Sequence, residues 1–229
     1  EEIMKLLISF TSKDFIESEG EYDEKNDLVE AALNSIEIYI GTALSNIKEK
    51  IPNIIDNAIE LLKYDPCNTN TAENNMDIEG YENYEDVDVE ANVDDTAWKV
   101  RRAAARILEI ILSSGFNLTK DPKEKIISAL IESFKEQEEN TKLQIINCLN
   151  KYLDSLVVKT VNDGKLTFGK THSSIVNTFI PKVAKQLIEV LLKDLEGNSN
   201  VVKNNTLKIL PTLAKVTPQG VVGNFNLLK

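Results

Sequence analysis

Apolar residues return at helical spacing along most of this chain. Val100, Ala104, Ile107, Leu108 and Ile111 fall on one stripe, while Lys99, Arg102, Arg106 and Glu109 lie across from it. That is the pattern of a helix with one buried face. Similar stripes predict helices over 51–63, 122–136 and 175–195. Nine glycines and six prolines in 229 residues leave long stretches without a breaker, and aromatics at 6% leave core building to aliphatic side chains. An all-α fold follows.

The stripes repeat in a fixed frame. Asp95, Val100, Arg101, Ala104 and Leu108 recur 41 residues later as Glu136, Thr141, Lys142, Ile145 and Leu149. An earlier copy is Asp23, Leu28, Val29, Ala32 and Ile36, and a later, weaker one is Gly197, Val202, Lys203, Thr206 and Leu210. A period of about 40–47 residues is that of stacked helical pairs, in which no pair buries its apolar face without neighbours. Asp95 stands where it would cap the second helix of its pair, and Asp121 before Pro122 reads as a capped helix start. Pro181, inside an apolar run, should kink or split its helix. Neither end of the chain reads as a polar cap, so a piece of a longer stack is expected.

Two insertions stretch the period. Over 65–95 lie eleven carboxylates and no lysine or arginine, which accounts for the net charge of −11 and leaves 26 acids against 26 bases elsewhere. With few large apolar residues, this insertion is expected to be disordered. It is long enough to screen the nearby basic stripe or to steer a basic partner. The second insertion, near 159–171, alternates as VVKTV-ND-GKLTF and predicts a small β-hairpin or irregular loop. The organisation is therefore helical repeats over 1–64, the acidic insertion over 65–94, helices over 95–158, an inserted loop over 159–172, and helices over 173–229.

Candidate chemistry is sparse. GKLTFGKT, residues 164–171, matches a phosphate-binding loop letter for letter, but no parallel sheet or magnesium-binding acid accompanies it, so no nucleotide or other cofactor is expected. His172 is the only histidine, which excludes histidine-based triads and histidine-rich metal sites. Cys67 and Cys148 form no metal-binding or redox pattern. There is no signal peptide or run of about 18 apolar residues, so a soluble, intracellular protein with no membrane role is expected. The balanced body gives no reason to expect nucleic acid, and a non-catalytic monomer is expected.

An acid followed by Val-Arg at the start of a second helix, as in Asp95 with Val100-Arg101, resembles the signature of HEAT repeats. That implies a right-handed α-solenoid of about five helical hairpins, with Arg101, Lys142 and Lys203 bonding acids or carbonyls of neighbouring repeats. Over 48–156, the order KYDP, acidic insertion, DDTAWKVRRAAARIL, then SALIESFKEQEENTK resembles the amino-terminal region of the cullin-associated, neddylation-dissociated proteins. The resemblance implies a scaffold that wraps an unneddylated cullin–RING complex and regulates SCF-type ubiquitin ligase assembly by adaptor exchange, in cytoplasm and nucleus. Trp98, Lys99, Arg102 and Arg106, on the second helix, are the candidate contacts to that partner. A karyopherin-type transport receptor and a phosphatase scaffold are the alternatives.

Overall fold

The computed structural model describes residues 2–18, 20–43, 47–65, 96–114, 116, 118–162, 165–170 and 175–223, with the backbone alone at 158–162, 165–170, 176 and 177. The acidic insertion from 66 onward, Asp95, Cys67 and His172 lie outside the described residues.

Helices α1 (Glu2–Phe10) and α2 (Lys13–Ile16) precede the long α3 (Tyr22–Thr42). Next come α4 (Ile51–Leu62), α5 (Ala97–Ser113), α6 (Lys120–Glu132) and α7 (Glu139–Ser155). A hairpin of β1 (Val157–Asn162) and β2 (Lys165–Lys170) leads to α8 (Ile180–Glu196), α9 (Asn200–Val216) and α10 (Pro218–Gly223). Two layers result. The first contains α1, α4, α6, α8 and α10; in the second, α3, α5, α7 and α9 pack successively on one another. Four complete helical pairs are present among the described residues.

The predicted stripes are the core. Val100, Ala104, Ile107, Leu108 and Ile111 have no exposed surface, and one continuous apolar cluster runs from Met4 to Val216. Helix α5 is enclosed by α3, α4 and α7, and its Ala103, Ala104 and Ala105 are the small side chains that three close neighbours require. Lys25 tethers the preceding turn by donating to the carbonyls of Ile16 and Ser18. In that turn Gly20 holds φ +142°, a conformation that side-chain-bearing residues rarely adopt.

Two helix ends differ from expectation, and two irregular elements fall where the sequence placed them. Helix α6 starts at Lys120 with Thr119 as its extended cap, so Asp121 and Pro122 occupy the second and third positions. The first-turn amides have no helical partner in any case, which makes proline tolerable there too. The same helix stops at Glu132 and passes through a 3-10 turn, Ser133–Lys135, that leaves Glu136 extended. The apolar run at Pro181 splits into a π-helical turn, Ile175–Phe179, and α8, with Pro181 in the first turn of the new helix. The second insertion is an antiparallel hairpin whose register pairs Val157 with Lys170 and Asn162 with Lys165.

Candidate partner-binding surface

Polar groups at recurring places in the frame link α3 to α5 and α5 to α7. Arg101, on α5, forms a two-pronged ion pair with Glu136, Nε to Oε2 at 2.7 Å and Nη2 to Oε1 at 3.2 Å, and donates from Nη1 to the Tyr64 carbonyl at 3.1 Å. Glu136 also accepts from the amides of Gln137 and Glu138. The frame's basic position in one copy thus meets the frame's acid in the next. Both side chains are largely buried, where paired and fully bonded charges are the tolerable kind.

Lys142 repeats the device one copy later with a substitute. Its frame partner would be Gly197; instead Asp194, one turn earlier on α8, meets it at 2.5 Å. Burial pushes the Asp194 carboxyl above its ordinary range, against the pull of Lys142. Lys203 is half-buried and has no ion pair among the described residues. Glu138 caps α7 by accepting from the amides of Asn140 and Thr141 at 3.0 and 2.6 Å. Partial burial raises its pKa, but those bonds outweigh it and hold the group below the usual carboxylate range.

The four candidate contacts separate into two kinds. Lys99 meets Asp27 at 3.5 Å, and Arg106 meets Glu37 at 2.5 Å and the Asn34 amide oxygen at 3.5 Å, so both lean on α3. The guanidinium of Arg102 lies over the Trp98 ring, 5.2 Å from its centroid, and both residues are half-exposed. A stacked arginine and tryptophan, with no ion pair to Arg102 among the described residues, form an aromatic and cationic unit of the type that anchors interfaces.

Sequence reasoning missed the acids that receive these bonds. Glu109 accepts from Gln144 at 2.7 Å and pairs with Lys151. Glu37 and Glu109 each stand fourteen residues after a frame acid, so extending the frame by one residue would have found them. The phosphate-loop string falls largely on β2, in an antiparallel hairpin rather than in a loop between a parallel strand and a helix. Cys148 is buried, and burial raises its thiol well above the ordinary range, which keeps it protonated and inert. Among the described residues no helix is long and apolar enough to cross a membrane.

No family model matches the chain. It is 36% identical over 135 residues to cullin-associated NEDD8-dissociated protein 1 of Drosophila melanogaster, covering 56% of this chain and 11% of that protein. Over 206 residues it is 28% identical to the protein of the same name from Arabidopsis thaliana, covering 88% and 16%. A 168-residue match at 30% identity is to a protein of Emericella nidulans named cullin-associated NEDD8-dissociated protein 1, C-terminal part, covering 62% and 16%. The chain thus spans 11–16% of the length of these relatives. Similarity to proteins named as cullin-associated and NEDD8-dissociated is thus met in three organisms.

Proposed function

We propose that this chain is a non-catalytic scaffold segment that binds an unneddylated cullin–RING complex and takes part in regulating ubiquitin ligase assembly. The observation that carries the reading is the 36% identity to a protein named for its association with cullins. A two-layer helical stack supports it as a large, preformed surface for another protein. Exchange of adaptors or substrate receptors, placement in the amino-terminal region of such proteins, and residence in cytoplasm and nucleus belong to the same proposal.

Within the stack, the Trp98–Arg102 unit is the proposed anchor. Its aromatic face and positive charge suit an acidic or polar patch on the partner. Lys99 and Arg106 are proposed as a rim, since each would have to exchange an α3 acid for a partner acid.

The test is co-purification of this chain with an unmodified cullin–RING complex, the NEDD8-modified complex, and a small GTPase loaded with GTP. Retention by the unmodified complex alone is expected. Retention by the GTPase in its place would favour a transport receptor and overturn the proposal.

A further inference from the structure

The three junctions between successive helical pairs are not equally joined, and the frame makes them comparable position by position. Fourteen residues after the frame acid stand Glu37, Glu109 and Asn150. Glu37 receives Arg106 at the first junction, and Glu109 receives Gln144 and Lys151 at the second. At the third, the counterparts of Gln144 and Lys151 are Asn205 and Thr212. Asn205 donates to the Val201 carbonyl and Thr212 to the Lys208 carbonyl, both within α9. Asn150 Oδ1 is left buried with no hydrogen-bond partner.

Two other frame positions fail at the same place. Nine residues after the frame acid the copies read Ala32, Ala104, Ile145 and Thr206, and Thr206 Oγ1 is buried without a partner. The frame acid itself is replaced by Gly197, and its stand-in Asp194 bonds Lys142 through one oxygen while Oδ2 is buried without a partner. Among the described residues these are the three buried side-chain atoms with no partner. All lie where α7 meets α8 and α9. Chain discontinuities collect there as well: the hairpin between α7 and α8, the π-helical turn before Pro181, and Pro211 within α9.

We propose that the third junction is the hinge of the stack. A buried polar group without a partner opposes closure, and water satisfies it as soon as the junction opens. Opening therefore costs less here, where the Lys142–Asp194 pair is the cross-helix bond to break among the described residues, than at the first two junctions, each of which is held by several such bonds. A polar cleft already leads to this seam, lined in part by Glu139, Lys142, Asp194 and Ser199. The pairs before and after it turn relative to one another, which lets the second-layer surface adjust its curvature.

Spin-label distances measure this directly. With Cys67→Ser and the buried Cys148 kept, labels at exposed Ser113, Asn147 and Asn204 report the second junction (113 to 147) and the third (147 to 204). The 147–204 distribution is expected to be about twofold wider, and to narrow to the 113–147 width when Thr206→Val and Asn150→Leu remove two of the unpartnered groups. Equal widths at the two junctions in the unaltered chain, or a wide 147–204 distribution unmoved by the double variant, would overturn the proposal.

Discussion

Arg101 is the polar link with the most bonds to lose. Replacing it with Met leaves Glu136 without its two-pronged partner and the Tyr64 carbonyl without a donor. Removing one member of a buried pair costs about 3 kcal/mol, so the urea midpoint should fall clearly. A midpoint within error of the unaltered chain would show that the pair is not a fastener. Lys142 and Asp194 test the same logic with a pH dependence. Because burial raises the Asp194 pKa, the folded state binds a proton more readily than the unfolded chain does. Stability at this site therefore falls as pH rises from the unfolded value through the raised folded value, and the full cost is present above it. Asp194→Asn should flatten that slope, whereas Lys142→Met should steepen it and destabilise by about 3 kcal/mol. Urea unfolding at a series of pH values decides between them.

Much of the residue-level pattern could be read from the sequence. The role of Arg101 follows from the recurrence of an acid and a base in one frame, because a period fixes which residues of neighbouring copies stand side by side. The partner of Lys142 could not be read that way. Asp194 lies one turn outside the frame and is brought in by the path of α8, a through-space fact with no periodic signature. The stacking of Arg102 on Trp98 is a four-residue helical neighbour relation and was open to sequence reasoning.

At the scale of elements, apolar periodicity located the helices well where one face is buried, as in α5, but did worse at their ends. Helix α6 begins two residues before Pro122, and the segment to Glu136 tightens into a 3-10 turn, since terminal bonds differ little in energy. The alternation VVKTV and KLTF around Asp163-Gly164 marked the hairpin correctly. The π-helical turn at Ile175–Phe179 had only Pro181 as its signal. Packing makes a sharp prediction at α5. Leu108 is fully buried among three neighbouring helices, so Leu108→Ala should cost about 2–5 kcal/mol by losing apolar contact and leaving a cavity. Thermal unfolding followed by circular dichroism measures it; a loss under about 0.5 kcal/mol, typical of surface positions, would place α5 outside the core.

For the whole molecule, stacking creates the property that no single pair has: a broad side built from α3, α5, α7 and α9, with polar links joining the first three. Its basic stripe is partly spent on those links, through Lys99 and Arg106, which makes the half-exposed Arg102 on Trp98 the proposed contact to a partner. Arg102→Glu should therefore weaken partner binding without moving the urea midpoint. The most direct measurement is a calorimetric titration of an unmodified cullin–RING complex with the unaltered chain and with Arg102→Glu. The account predicts saturable binding by the first, and at least about tenfold weaker binding by the second, a loss of about 1.4 kcal/mol. No heat of binding from the unaltered chain would contradict the account.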